Sequence, residues 1–464
     1  MKCLFVYTDL NVRGGAKSYH FGIGMLSAML KRHNHETRVH YMFGRYDPAA
    51  LARVIEEWQP DVLAFTAVSP QFPYVQRVFQ ALQPFKAFTI LGGQHATLAP
   101  DCLEQTPGLD AICIGEGEYP LLELLQALER KEQPGKIPNL WIKQKDGAII
   151  QNPTRPFHAN LDELPFADVD LFDYQSIIDS DFSTALFMFS RGCPYNCTFC
   201  SNHALREKQT GSYVRFRSVP SCLAEIREVI SRYKIKALYF NDDCFTVQRR
   251  FVTDFCKAYK AEFNLPFDIN ARPETLNDDI CRMLKDAGCR RVCIGIENGS
   301  ETFRREVLGR NQTNAWIEAG FAACHRAGLK TKSFNIVGFP YETPAIHRET
   351  VELNARINPD SVIIGIFEPY PGTKLAEVCV KEGFIDTTRV GGKFIGRTDT
   401  ALKMSQFPRE EILRCFRTFA YNVYRRHSLR KALFLRVYYS TYGERLIHLL
   451  DPIKGLLRRL TMGV

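Results

Sequence analysis

The stretch that decides the reading is "ALFMFSRGCPYNCTFC", residues 185–200. Its first part is an apolar run of strand length, and its second places Cys193, Cys197 and Cys200 at C-x3-C-x2-C spacing in one short loop. Three thiols are one short of a structural zinc site and one more than a disulfide needs. Two chemistries follow. With His203 the run can close a Cys3His zinc site. Alternatively, three thiolates can anchor an iron–sulfur cubane and leave one iron open to a ligand from solution.

Outward from this loop the same pattern recurs. "ALYFN" leads into DDCF, "FDINA" into RPE, and "VCIGI" into ENGS. "SFNIV" leads into GFPYET, and "VIIGIF" into EPYPGT. Each apolar run ends in Gly, Pro or charged residues and is followed by a helical stretch. Six such units over residues 185–400 predict a partial (β/α)6 barrel, open on one side, with reactive groups gathered where the strands end.

Residues 1–130 also alternate. "KCLFVY", "RVHYMF", "VLAFTA", "AFTILGG" and "DAICIGEG" read as strands, separated by "KSYHFGIGMLSAMLKR", "PAALARVIEEW", "YVQRVFQALQPF" and "YPLLELLQALERK" as helices. This predicts an α/β domain with an open parallel sheet and helices on both faces. The Gly-x-Gly of "FGIGML" falls inside the first helix instead of opening it, so it is a poor dinucleotide fingerprint. Residues 131–184 are rich in Pro and polar residues and read as a linker, with one hairpin around Lys145–Asp146–Gly147. Residues 401–464 read as a basic helical C-terminal region.

Bulk composition agrees. At 464 residues the chain is too long for one core, and 45% hydrophobic with 24% charged residues is ordinary for a globular protein. No apolar run approaches bilayer-spanning length, and "MKCLFVYTDL" lacks the regions of a signal peptide, so the expected location is the cytoplasm. Most of the 15 cysteines sit in apolar segments and read as buried small hydrophobes. The net charge of +9 is concentrated: residues 425–464 hold nine Lys/Arg against two acids. That tail can cover the open barrel with an apolar face or lie on an anionic membrane surface. No RNA-binding signature is present, and no nucleic-acid partner is expected.

With Phe199 before the last cysteine, the loop reads C-x3-C-x-Φ-C and resembles the motif of the radical SAM superfamily. The resemblance runs over about residues 185–400. It implies a [4Fe–4S] cluster on Cys193, Cys197 and Cys200, whose open iron chelates S-adenosylmethionine (SAM). Reductive cleavage then yields a 5′-deoxyadenosyl radical. In "FNDDCF", Asp242 and Asp243 resemble the segment that holds the methionine amino group, although adjacent acids also make turns and helix caps. Arg272 of "NARPE" suits a carboxylate or a barrel salt bridge. Glu297 and Ser300 of "GIENGSE" resemble a ribose contact or a strand-to-helix cap. "NIVGFPYET" (Gly338, Pro340, Glu342) and "PYPGT" (Tyr370, Pro371, Gly372) resemble late-strand motifs of the cobalamin-binding branch, with Gly338 toward SAM.

In the N-terminal domain, "AVSPQF" (Ser69), "GGQHAT" (Gly92, Gly93, His95, Thr97) and "GEGE" (Gly115, Glu116, Gly117) resemble the loops of a Rossmann-like cobalamin-binding domain. The Asp-x-His-x-x-Gly signature is absent after the first strand. A base-off cofactor without a histidine ligand and one with His95 nearby are both open, as is a flavodoxin-like domain with no cofactor. The family scheme implies C-methylation of an unactivated carbon in a small-molecule or lipid-like substrate: hydrogen abstraction by the radical, methyl transfer from methylcobalamin, and remethylation by a second SAM. A flavodoxin- or ferredoxin-type protein would supply the electron. Oxidative cyclisation or rearrangement with the same cofactors is the alternative reaction, and a non-catalytic zinc or iron–sulfur protein is the alternative class.

Overall fold

The computed structural model describes residues 1–10, 17–386 and 398–439. The chain divides into two compact units. The first comprises Met1–Tyr195, Cys200–Ile235 and Tyr370–Thr373, the second Asn196–Phe199, Lys236–Pro369 and Lys374–Val464.

The first unit is built on a seven-stranded sheet in the order β2-β1-β3-β4-β5-β6-β7. Its strands are β1 Lys2–Asp9, β2 Glu36–Phe43, β3 Val62–Thr66, β4 Phe88–Gly92, β5 Ala111–Cys113, β6 Leu140–Lys143 and β7 Ile149–Gln151. β1 lies between β2 and β3, with Leu4 opposite Arg38 of β2 and Leu63 of β3, all in parallel register. Its run Cys3–Tyr7 is buried throughout because helices cover both faces of a parallel sheet. The helices Phe21–Arg32, Pro48–Trp58, Phe72–Leu82 and Glu118–Glu129 fall where the apolar periodicity put them. The first begins later than the Lys17 start suggested by pattern, because the His20 side chain accepts the Ile23 N–H and caps it there.

Within residues 131–184 the expected hairpin forms as β6–β7, and it pairs antiparallel onto β5 and extends the sheet. Leu140 and Ile142 alternate inward, and Gly147 at φ +88° makes the turn. Further along the same unit come β8 Thr184–Phe187, β9 Ser190–Arg191 and β10 Arg215–Phe216, with β9 and β10 antiparallel.

The second unit carries five parallel strands, β11 Ala237–Phe240, β12 Phe267–Ala271, β13 Cys289–Glu297, β14 Lys330–Val337 and β15 Ser361–Ile366, laid side by side in chain order. Together with β8, all six expected barrel strands form. β13 has an irregularity between Gly295 and Glu297, and Glu297 sits at φ +69°. Phe240, Phe245, Phe255 and Tyr259 pack edge and face in one aromatic core. Helix Arg409–Tyr424 buries Ile412, Phe416, Phe419 and Val423 in a second core with Val337, Ile364 and Ile366. The start of the basic tail is thus an apolar packing element. A further helix, Leu429–Tyr438, follows, and residues 440–464 lie outside the described residues, as do residues 11–16 after β1. Among the described residues, no helix is long and apolar enough to cross a membrane.

Candidate active site

The first unit holds a cavity of about 300 Å³ against the carboxyl ends of β3, β4 and β5. Phe5, Ile23, Phe65, Ile90 and Leu121 give it an apolar lining, and Gly92, Gly93, Gly115 and Gly117 form its rim. Two of these positions require glycine for steric reasons. At Gly93, φ is +91° and a Cβ would lie 2.8 Å from Thr66 Oγ1; at Gly115, φ is +84° and a Cβ would lie 2.1 Å from Gln209 Oε1. Thr97 stitches these two loops, donating to Gly93 O at 2.9 Å and accepting from Gly115 N at 3.0 Å.

The polar residues of this region are tightly paired. Glu116 Oε1 receives Arg191 Nη1 at 2.9 Å and Arg215 Nη2 at 2.8 Å, while Oε2 receives Arg215 Nη1 at 3.1 Å and His158 N at 3.2 Å. Burial alone would raise the carboxyl, but hydrogen bonds and charge from Arg215 and Arg191 outweigh it and hold the pKa at about 2. Glu116 therefore lines the cavity as a braced carboxylate with both oxygens engaged. Of the other expected contacts, Gly92, Gly93, Gly115 and Gly117 border the cavity, whereas Ser69, His95 and Thr97 lie outside its lining. His95 is buried against the Phe72 ring, centroids 4.1 Å apart, with Nδ1 3.0 Å from Ser69 Oγ. His20 and Arg191, both in the lining, were not singled out from sequence. Arg191 directly precedes the cysteine loop, which was the available signal.

The cysteine loop is divided, with Cys193 and Cys200 in the first unit and Cys197 in the second. None of the 15 cysteines forms a disulfide. Asn202 Nδ2 lies 3.6 Å from Cys200 Sγ and is itself oriented by Tyr213 OH at 2.6 Å. Cys197 is buried, and two guanidiniums reach its sulfur: Arg272 Nη1 at 3.2 Å and Arg310 Nη1 at 3.6 Å. Thr198 bonds Leu308 O and Val307 O, and Phe199 packs on Phe339 at 5.5 Å, which fixes Asn196–Phe199 in the second unit. Among the described residues, no three His, Cys, Asp or Glu side chains converge as one metal ion would require. Two buried cations aimed at one sulfur instead suit a thiolate carrying an anionic cluster, which fits the donor set.

The remaining strand-end residues divide into buried and exposed. Asp242 is buried after β11 and its carbonyl accepts from Asn270 Nδ2 at 3.1 Å, whereas Asp243 is exposed. Arg272 forms the barrel salt bridge, pairing with Glu274 at 2.7 Å, and it also reaches Cys197. Glu297 Oε1 is 3.6 Å from Arg310 Nη1. Ser300 occupies the N-cap of Glu301–Glu306 without a side-chain cap bond, and its N–H goes to Asn298 Oδ1 at 2.9 Å. Gly338 at φ +85° donates to Glu342 Oε2 at 2.6 Å, and Asn298 Nδ2 donates to Glu342 Oε1 at 2.9 Å. Glu342 thus ties the β13 and β14 loops together. Arg310 and Gln312, from "GRNQT", were missed, for an Arg-x-Gln pair carries no chemistry until the fold turns it onto Cys197.

Comparison with known proteins matches both regions. The family model of the Radical SAM superfamily matches residues 187–353, and that of the B12 binding domain matches residues 8–125. An uncharacterised methyltransferase of Pyrococcus horikoshii is 27% identical over 412 residues, covering 88% of this chain and 86% of the relative. The anaerobic magnesium-protoporphyrin IX monomethyl ester cyclase of Cereibacter sphaeroides is 25% identical over 461 residues, 96% of this chain and 69% of the relative. Among solved structures, the cobalamin-dependent S-adenosylmethionine radical enzyme OxsB, with aqua-cobalamin and S-adenosylmethionine bound, matches at a TM-score of 0.72. That match has 16% identity and covers 96% of this chain and 71% of OxsB, so it concerns the fold.

Proposed function

The chain belongs to the cobalamin-binding radical SAM enzymes, and from that premise we propose that it methylates an unactivated carbon of a small-molecule or lipid-like substrate. The observation that carries the reading is the pairing, in one chain, of a thiolate loop faced by two buried guanidiniums with a glycine-rimmed apolar cavity. The methyltransferase relative, similar over 86% of its length, supports methyl transfer over other outcomes. The cofactors are a [4Fe–4S] cluster, S-adenosylmethionine and cobalamin. When bound they supply a 5′-deoxyadenosyl radical for hydrogen abstraction and a methyl group for transfer.

The chain's own residues have narrower tasks. Cys193, Cys197 and Cys200 would hold the cluster. Phe199, Asp242, Asp243, Arg272, Glu297, Ser300 and Gly338 are assigned to the SAM side, with the buried members best placed to shape its pocket. Gly92, Gly93, Gly115 and Gly117 would admit a flat group of cobalamin between strand ends, where any side chain would fill the slot. Glu116 would hold that rim in place through Arg191 and Arg215, while Ser69, His95 and Thr97 would support it from behind. The apolar lining would exclude water from the slot. A flavodoxin- or ferredoxin-type donor in the cytoplasm would provide the electron. Peripheral contact of the basic C-terminal region with an anionic membrane surface belongs to the same reading.

Anaerobic turnover with methyl-labelled S-adenosylmethionine tests it. Label is expected in the product; deoxyadenosine accumulating while the product stays unlabelled would sink methyl transfer. That second outcome would favour oxidative cyclisation with the same cofactors, a reading supported by the cyclase relative that covers 96% of this chain. Substrate identity would come from comparing extracted metabolites with and without the gene.

A further inference from the structure

The two guanidiniums on Cys197 are parts of a closed ring of contacts. Arg272 Nε donates to Glu274 Oε1 at 2.7 Å, and Gln312 Nε2 donates to Glu274 Oε2 at 2.5 Å. Arg310 Nε in turn donates to Gln312 Oε1 at 3.0 Å, and its Nη2 donates to Gly295 O at 2.6 Å. Both arginines then end on Cys197 Sγ. The ring thus runs Cys197, Arg272, Glu274, Gln312, Arg310 and back to Cys197. It draws on the ends of β12 and β13 and on the segment after helix Glu301–Glu306. Cys197, Arg272, Arg310 and Gln312 are all buried.

Burying two guanidiniums costs several kcal/mol unless charge and hydrogen bonds offset it. Here one carboxylate, Glu274, is braced between Arg272 and Gln312, and Glu297 stands 3.6 Å from Arg310. One Nη1 from each arginine reaches the same sulfur. A neutral thiol is a weak acceptor for such donors, whereas a thiolate bound to a cluster is a strong one. Hydrogen bonds and positive charge at a cluster's sulfur atoms favour the state with one more electron, because they stabilise the added negative charge. Low exposure strengthens that effect.

We propose that Arg272 and Arg310, fixed by Glu274 and Gln312, are positioning residues that raise the reduction potential of the cluster at its Cys197 corner. They would thereby make the cluster reducible by a low-potential flavodoxin- or ferredoxin-type donor. The step is a one-electron gain by the cluster from that donor, with no bond made or broken and no proton transferred. This inference rests on the cluster reading but not on methyl transfer.

The test is an EPR-monitored redox titration of the anaerobically reconstituted full chain, first without S-adenosylmethionine and then with it. Wild type is compared with R272Q, R310Q, R310K and Q312L, and iron and sulfide are measured in each. The expected result without S-adenosylmethionine is a midpoint shifted to more negative values in R272Q and R310Q. R310K should recover part of the shift, and Q312L, which removes the brace and keeps both charges, should shift less than either. An unchanged midpoint in cluster-loaded R272Q and R310Q would overturn the proposal. So would a shift seen only with S-adenosylmethionine present, which would make the arginines carboxylate ligands of that molecule. If R310Q holds no cluster, Q312L and R272Q still decide. Failure of wild type to hold iron and sulfide would instead defeat the cluster reading, which the metal analysis separates from the potential.

Discussion

The cavity of the first unit and the Cys197 surroundings of the second are both made at the carboxyl ends of parallel strands, yet they solve opposite problems. In the first, the strand ends withdraw: four glycines and small residues leave apolar space, and the charges nearby cancel in a cluster of Glu116 and Glu118 with Arg191 and Arg215. In the second, the end of β12 and the segment after helix Glu301–Glu306 advance long polar side chains until two guanidiniums press on one buried sulfur. The first arrangement suits a large neutral group whose shape matters. The second suits a compact anionic group whose charge matters. One strand-end architecture thus serves a steric site and an electrostatic site.

Cys197→Ala strikes the electrostatic site hardest. It removes an anchor and leaves two guanidiniums facing an apolar methyl, so deoxyadenosine formation is expected to be abolished, as it is for Cys193→Ala and Cys200→Ala. Cobalamin retention should persist, because its site depends on shape in the other unit. Full deoxyadenosine production by any of the three would refute the assignment of the loop. Next in size is the converse experiment. At Gly92 a new Cβ would meet nothing closer than Cys113 Cβ at 4.0 Å, and φ is not in the left-handed region, so Gly92→Leu can fold while filling the cavity. Cobalamin retained after gel filtration should fall at least tenfold with iron and sulfide unchanged. Unimpaired retention would break the contrast between the two sites.

How far this contrast could be read beforehand differs for its two halves. The glycine rim was legible, because Gly93 and Gly115 stand at the ends of unmistakable strands and only backbone geometry had to follow. The cysteine trio was legible through its spacing. The Arg310–Gln312–Glu274 part of the ring was not, since Glu274 lies 36 residues before Arg310 and the two segments meet only once β12 and β13 pair in register. Within residues 131–184 the hairpin was legible from Lys145–Asp146–Gly147, but its pairing onto β5 was not, because only the burial of Leu140 and Ile142 marks it as part of the sheet.

The braced carboxylate gives a smaller, pH-dependent effect. Glu116 has its pKa lowered to about 2, so its stabilising contribution is complete above the unfolded carboxyl range and fades as pH falls toward 2. Glu116→Gln should therefore cost about 2–3 kcal/mol at pH 7 in the unfolding transition of the first unit, converging with wild type toward pH 2. Urea midpoints across pH would check this, and a constant difference at all pH values would assign the loss to packing instead of charge.

His95 yields the smallest change and the sharpest reading of the cavity. It lies in the short helix Gln94–Leu98, within a segment resembling one of cobalamin domains, so an axial role was open. In the structure its Nδ1 faces Ser69 Oγ at 3.0 Å and its ring lies on Phe72, outside the cavity lining. Burial lowers its pKa to about 4, so it is neutral at pH 7 through desolvation. His95→Gln is therefore expected to leave the visible spectrum of bound cobalamin unchanged, at a stability cost of about 1–2 kcal/mol from lost stacking and hydrogen bonding. The unfolded imidazole gains its proton near pH 6.5 and the folded one only near 4, so wild-type stability should decline as pH drops through that window. The variant should lose that part of the slope. A shifted cobalamin spectrum in His95→Gln would instead place this imidazole on the cobalt and move His95 from the supporting segment into the site.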